Sequence, residues 1–72
     1  MSSHYSIVIE WSDEDQCYVV SFPEWSDLLH THGDTYEQAA QSGREVLDMV
    51  IAARQEHGEP LPEPRVFASA GA

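Results

Sequence analysis

Lysine is absent from this 72-residue sequence, and arginine occurs only three times, at Arg44, Arg54 and Arg65. Asp and Glu together number 13, so the formal net charge is −10 with His neutral. Without a basic stripe the chain cannot displace counterions from phosphates, which argues against direct nucleic-acid binding. The same charge balance argues against docking on an anionic membrane. An acidic surface of this kind suits a basic protein partner or a cation.

Cysteine occurs once, as Cys17, which excludes an internal disulfide. With a lone thiol and no signal peptide, we expect a reducing, cytoplasmic location. Long hydrophobic runs are also missing, so no segment is predicted to cross a bilayer. The sequence contains no Gly-rich phosphate loop, Ser-His-Asp set or cysteine pair. We therefore expect neither enzymatic activity nor a cofactor.

The length predicts one small domain over residues 1–72. A core of this size rarely supplies more than about 3–5 kcal/mol of stability. Because neither a disulfide nor a metal cage is available to add to it, we expect a homo-oligomer, either a dimer or a tetramer. Apolar residues also lie on both sides of the first two predicted strands, whereas one helix covers only one face of a sheet.

Alternating apolar and polar residues predict the strands. Residues 5–11 alternate with a period of two. A polar connection of hairpin length follows, and residues 17–22 predict the second strand. Pro23 ends the second strand, because proline has no N–H to donate to a ladder. Residues 28–32 predict a short third strand, which ends at the turn signal Gly33-Asp34.

A helix is predicted over residues 36–57 from its cap and its apolar stripe. Thr35 and Gln38 have the spacing of a capping box, with Thr35 as the N-cap. The apolar positions that follow fall on one side of a helical wheel. Gly43 lies in the middle of that stripe, where glycine costs about 1 kcal/mol relative to alanine. We interpret it as a point of close approach between helix and sheet.

The last part of the chain is predicted to be extended. Residues 59–64 contain three prolines and form a stiff exit from the helix, and residues 65–67 could add a short final strand parallel to the first. The predicted fold class is therefore α+β, in the order β-β-β-α(-β), with three or four strands and one helix on one face.

Three segments occur in a characteristic order and spacing. The first is a strand with its hairpin partner, the second a Gly-Asp-Thr turn that opens a helix, and the third a Pro-spaced exit from that helix. They comprise Ser6-Ile7-Val8-Ile9-Glu10-Trp11 with Tyr18-Val19-Val20-Ser21-Phe22-Pro23-Glu24, then Gly33-Asp34-Thr35-Tyr36-Glu37-Gln38-Ala39, and then Gly58-Glu59-Pro60-Leu61-Pro62-Glu63-Pro64. Together they cover about residues 5–65, and in this combination the chain resembles the HicB antitoxin family.

The resemblance implies a truncated ribonuclease H-like fold and an antitoxin role. Members of the family bind HicA, a small basic ribonuclease that cleaves messenger RNA, and occlude its active site. Many also carry a C-terminal DNA-binding domain. The chain ends shortly after the Pro-rich segment, so we expect that domain, and direct operator repression, to be absent. An orphan homo-oligomer without a toxin partner is the alternative.

One loop departs from the family pattern. Family members commonly continue Phe-Pro-acid with an apolar residue and Pro-Gly, whereas this chain has Trp25-Ser26-Asp27-Leu28. We expect a remodelled loop and third strand, with an altered choice of partner.

Acidic and aromatic side chains of the hairpin and of this loop are the candidate partner contacts. Carboxylates in the hairpin would imitate RNA phosphates for a basic toxin. Trp25 lies in a loop between acids and is the predicted anchor, since exposed Trp is favoured at binding hot spots. Trp11 continues the apolar row of the first strand and is predicted to be core. The predicted contact residues are Asp13, Glu14, Asp15, Glu24, Trp25 and Asp27.

The hairpin carboxylates have two other interpretations. Ribonuclease H-like enzymes hold two metal ions with carboxylates, so a metal-dependent nuclease remnant is one. A solvated turn is the other. Asp13 and Asp15 begin like a calcium loop, but no Gly or bidentate Glu follows at the required spacing.

His30 and His32 lie two residues apart and would point to the same side of a strand. Zinc takes three or four such ligands, and the other donors, His4, His57 and Cys17, are distant in sequence. We predict no metal site.

Overall fold

A computed structural model of the chain describes residues 4–25, 27 and 29–67. These residues form a three-stranded antiparallel sheet with one helix across one face, which confirms the α+β class. The strands lie in the order β1-β2-β3, and every neighbouring pair is antiparallel. The elements are β1 (Val8–Ser12), β2 (Cys17–Ser21), β3 (His30–Gly33) and α1 (Tyr36–Glu56).

A four-residue turn joins β1 to β2. Gln16 closes it, because its N–H donates to the Ser12 carbonyl at 2.8 Å and its φ is +55°. The resulting register places Trp11 opposite Tyr18 and Glu10 opposite Val19. The acidic tip of the hairpin therefore projects beyond the end of the sheet.

The core lies between α1 and one face of the sheet. Val20 is fully buried at its centre, and the helix contributes buried residues at a spacing of four. That spacing places them on one side of an α-helix. The buried apolar residues are Val20, Phe22, Ala39, Leu47 and Ile51.

The first strand begins three residues later than predicted and ends one residue later. Continued past Val8, the register would place Ser6 opposite Pro23, which has no N–H to donate. The Ser6 N–H instead donates to the Glu24 carboxylate, at 3.1 Å to each oxygen. The second strand ends at Ser21, and the third runs from His30 to Gly33 rather than over 28–32. Leu28 lies outside the described residues.

The helix boundaries agree with the sequence, with one change at the cap. Thr35 has an extended backbone, and its Oγ1 accepts from the Gln38 N–H at 3.1 Å. In a capping box, the side chain of Gln38 would accept a hydrogen bond from the backbone N–H of Thr35. Here Gln38 Oε1 instead accepts from the N–H of Asp34, at 3.0 Å. His57 is the C-cap, and Gly58 follows with φ +66°.

Two glycines set the distance between helix and sheet. A Cβ on Gly33 would lie 2.4 Å from the Ala39 backbone nitrogen, so β3 meets the first turn of α1 without room for a side chain. A Cβ on Gly43 would lie 3.0 Å from Val20 Cγ1 and 3.3 Å from Ile7 Cγ2. The interpretation of Gly43 as a point of close approach is therefore confirmed.

The predicted final strand over residues 65–67 does not form. Residues 59–67 have no regular secondary structure, and side chains of the domain hold them instead. The Arg54 guanidinium donates to the Pro60 carbonyl at 3.0 Å, and the Tyr5 hydroxyl to the Pro62 carbonyl at 2.6 Å. The Arg65 N–H, which a ladder would need, donates to Glu24 Oε2 at 2.8 Å. No helix among the described residues is long and apolar enough to cross a membrane.

Candidate partner-binding surfaces

The three hairpin acids, Asp13, Glu14 and Asp15, are all exposed. Asp13 Oδ1 accepts the indole N–H of Trp11 at 2.8 Å, which fixes the ring against the turn. The N–H of Asp15 donates to Ser12 Oγ at 3.2 Å. These bonds hold the turn in one shape, and all three acidic side chains remain exposed.

Glu24, a predicted partner contact, is half-buried and engaged inside the chain. Its carboxylate accepts from the backbone N–H and hydroxyl of Ser6 and from the backbone N–H of Arg65. Partial burial by itself would raise the pKa of Glu24. The hydrogen bonds from Arg65 and Ser6 outweigh burial and hold that pKa below its usual value. Glu24 thus ties the segment before β1 and the segment after α1 to the loop after β2.

Trp25, the predicted anchor, is half-buried and packs on the hydrophobic core. Its ring meets Tyr5 edge to face with centroids 5.1 Å apart, and the Arg54 guanidinium lies 5.4 Å from its centroid. Its backbone N–H closes a turn onto the Phe22 carbonyl at 2.9 Å. Its indole N–H is buried without a hydrogen-bond partner among the described residues. Much of the ring is therefore committed to intramolecular contacts.

The remaining predicted site residues lie at a turn and at the start of α1. Asp27 is exposed, and its neighbours 26 and 28 lie outside the described residues. Gly33, Asp34, Thr35 and Gln38 form the tight entry to the helix described above. These four residues have a structural task, as the sequence predicted.

The structure separates the two groups of predicted contacts. Glu24 bonds to Ser6, before β1 begins, whereas Asp13 follows the end of β1. A β-strand rises about 3.3 Å per residue, so Ser6 and Asp13 are about 20 Å apart along it. The hairpin acids and the loop after β2 therefore lie at opposite ends of the sheet.

An aromatic cluster beside the hairpin was missed from the sequence. We call Trp11, Tyr18 and Tyr36 the aromatic surface. Trp11 is 49% exposed and Tyr36 59% exposed, so the prediction that Trp11 is core is wrong. Trp11 meets Tyr18 edge to face at 5.1 Å, and Tyr18 and Tyr36 lie 4.3 Å apart with an interplanar angle of 32°.

The environment of Tyr18 shows what borders this surface. Partial burial raises the pKa of the Tyr18 phenol, and the neighbouring Tyr36 hydroxyl and Glu37 carboxylate raise it further. Glu37 follows Tyr36 in the first turn of α1 and is exposed. The pairing of Trp11 with Tyr18 follows from the four-residue hairpin loop and could have been predicted from the sequence. The contact between Tyr36 and Tyr18 could not.

We call the face of the sheet that α1 does not cover the open sheet face; at one end of it, residues 65–67 line a cavity together with Val8. The register places His30 and His32 together on this face, as their spacing predicted. Half-buried apolar side chains lie beside them, namely Val8, Cys17 and Val19. Among the described residues, no group of three or more His, Cys, Asp and Glu side chains is placed to hold a metal ion.

Comparison of the chain with protein-family models, curated proteins and solved structures finds no match. The described residues form a small α+β domain with acidic and aromatic side chains at the hairpin end of the sheet and with the open sheet face.

Proposed function

We propose that this chain is an antitoxin-like binding module that binds and inhibits a small basic ribonuclease of the HicA type, in the cytoplasm. The proposal rests on the resemblance of residues 5–65 to the HicB family together with the β-β-β-α order of the described elements. It includes a relationship to the truncated ribonuclease H-like fold.

The observation that carries the proposal is the placement of the acidic charge. Net charge is −10, and the hairpin presents Asp13, Glu14 and Asp15 in solvent on a turn held by internal hydrogen bonds. A preorganised acidic turn attracts a basic protein and accelerates encounter with it. Carboxylates that occupy the phosphate sites of a ribonuclease would exclude its RNA.

The test begins with capture of the partner from the source cytoplasm, using the intact chain and elution with salt. The captured protein is then assayed for RNA cleavage while the chain is titrated. We expect a small basic ribonuclease that the chain inhibits at near-stoichiometric ratio, with inhibition weakening as salt screens the charges.

Charge-matched variants locate the contact. Replacing all three hairpin acids by their amides should weaken inhibition strongly. A control variant carries Glu45→Gln, Asp48→Asn and Glu56→Gln, which change the net charge equally on exposed positions of α1. Equal loss in both variants, or uninhibited RNA cleavage at excess chain, would count against the proposal.

We also propose that the chain is a homo-oligomer that uses the open sheet face. Val8, Cys17 and Val19 lie half-buried on a face that α1 does not cover. Burial of apolar surface is the main source of stability available to so small a domain. An orphan oligomer without a toxin is the alternative function that this face favours. Recovery of the bait alone, as a stable oligomer, would support that alternative.

A further inference from the structure

Two of the three rings of the aromatic surface, Trp11 and Tyr36, are exposed, whereas Tyr18 between them is half-buried and packs against the core. Tyr18 stands opposite Gly33 in the sheet, so no side chain from β3 crosses its ring. Tyr36, the first residue of α1, lies over Tyr18 instead, and Trp11 borders it on the other strand. Three rings in contact at the edge of the domain form a continuous aromatic surface.

The rings are held in place before any partner arrives. The 2.8 Å bond from the Trp11 indole to Asp13 fixes the orientation of that ring. Tyr36 follows the Thr35 N-cap, whose bond to Gln38 sets the first turn of the helix. Preorganised groups lose little conformational freedom on binding, which favours affinity.

Two exposed carboxylates accompany the rings. Asp13 is bonded to the Trp11 indole, and Glu37 follows Tyr36 in the first turn of α1. An aromatic face flanked by carboxylates attracts a cation through the ring quadrupole and through charge together. The net charge of −10 excludes an anionic occupant on the same grounds.

We infer that the aromatic surface binds an arginine side chain of the basic partner. A guanidinium is planar, weakly hydrated and able to stack on a ring while its edge donates to a carboxylate, whereas an ammonium is a compact, strongly hydrated charge. The chain makes the same kind of pair internally, with Arg54 at 5.4 Å from the Trp25 centroid. The inference rests on the proposed function, which supplies the basic partner. It adds that the partner contributes an arginine and that this arginine binds at the aromatic surface.

The test uses the intact chain, labelled with nitrogen-15, and two capped peptides of equal length, one of arginine and one of lysine. The two indole N–H resonances are followed at about 0.15 M salt, where long-range attraction is screened. We expect the arginine peptide to shift the Trp11 resonance much more than that of Trp25, and to bind about threefold or more tightly than the lysine peptide.

Variants then separate stacking from charge. Tyr36→Ala should weaken arginine-peptide binding about two- to fivefold and reduce the preference over lysine, whereas Met49→Ala, also exposed on α1, should change neither. Tyr36→Leu repeats the test with a side chain that keeps apolar bulk at the start of the helix. Glu37→Gln should weaken binding more than Glu45→Gln, which removes the same charge elsewhere on α1.

Equal affinity for the two peptides, or equal shifts at both indoles, would overturn the inference, because both indicate undirected attraction to an acidic protein. Shifts at Trp11 that depend on the concentration of the chain alone would also overturn it, because a second copy would then occupy the surface.

The two proposals fail separately. If the ribonuclease is inhibited but Trp11→Ala and Tyr36→Ala leave inhibition unchanged, the arginine inference is wrong and the proposed function stands. If the peptides show the arginine preference at Trp11 but no ribonuclease is inhibited, the inference stands and the proposed function is wrong.

Discussion

Glu24 is the residue on which both ends of the described chain converge. Ser6 and Arg65, 18 and 41 positions away in sequence, donate to one carboxylate. Hydrogen bonds to a charged acceptor are stronger than neutral ones. This carboxylate therefore joins the segment before β1 and the segment after α1 to the loop after β2.

We predict that Glu24→Gln lowers the free energy of unfolding by about 1–2 kcal/mol at pH 7. The folded-state pKa is depressed, so the carboxylate contributes its stability above the pKa of the unfolded chain and loses it as pH falls through the folded pKa. The difference between wild type and variant should therefore shrink as pH is lowered from about 5 to about 3. Urea unfolding at several pH values measures it.

The control for this variant is Glu56→Gln, an exposed residue at the end of α1 with the same charge change. Relief of self-repulsion stabilises both variants, so only the difference between them reports the hydrogen bonds. A Glu24→Gln effect that is independent of pH would contradict the assignment.

The environments of the two tryptophans could be predicted only in part from the sequence. Alternation placed Trp11 on the same row as Ile9, and the register confirms that row by pairing Trp11 with Tyr18 and Ile9 with Val20. Its burial was wrongly predicted because α1 does not cover that end of the row. The composition of a loop, in turn, could not reveal that Trp25 packs on Tyr5, twenty positions away.

At the scale of elements, the contact between β3 and α1 decides how the helix lies. Gly33 allows the strand to meet the first turn of the helix at backbone distance, and Gly43 allows the middle of the helix to meet Val20. The Gly-Asp-Thr sequence therefore sets the start of α1 and its separation from the sheet together.

We predict that Gly33→Ala destabilises the fold by about 1–3 kcal/mol or more, because its Cβ would meet backbone that cannot rotate away. Gly43→Ala is the matched control with the same chemical change. There the contact is with a side chain at 3.0 Å, and alanine gains about 1 kcal/mol in helix propensity. Thermal or urea unfolding of both variants should rank Gly33→Ala well below Gly43→Ala. The reverse order would contradict the close approach at Gly33.

The predicted strand over residues 65–67 is the secondary-structure element that the sequence pattern predicted wrongly. The pattern of residues 65–67 suits a strand, and residues 59–64 before it have no regular secondary structure. Its backbone bonds to a side chain from a distant loop, however, and Val66 and Phe67 are 74% and 93% exposed. A three-residue segment has too few ladder bonds to compete with a charged acceptor.

On the scale of the whole molecule, the charge of −10 acts on stability as well as on binding. Like charges crowd together on folding and repel one another. We predict that sodium chloride raised from about 0.02 M to about 0.5 M increases the melting temperature by a few degrees, because the Debye length falls below the spacing of most surface charges. Chloride is preferred to sulfate, which stabilises proteins through exclusion from their surface. A melting temperature that does not change with chloride would indicate that self-repulsion is negligible.

The open sheet face gives the whole-molecule prediction on assembly. Val19 lies at its centre, between Glu10 and His32 in the register. We expect sedimentation equilibrium to show a dimer or tetramer for the wild type and a monomer for Val19→Lys, because burying a lysine ammonium at the contact between copies is costly. Met49→Lys changes the charge equally on an exposed position of α1 and should leave the assembly intact. A monomeric wild type would contradict the prediction.

The sequence by itself determined the α+β class, the hairpin and the bounds of the helix, because these depend on alternation, turn chemistry and capping within a few neighbouring residues. It also determined the acidic character of the surface, which follows from composition alone. Only the tertiary structure decided that Glu24 bonds within the chain, that Trp11 is exposed and that Tyr36 lies over Tyr18. Each of these depends on how far one element extends over another, which no local pattern encodes.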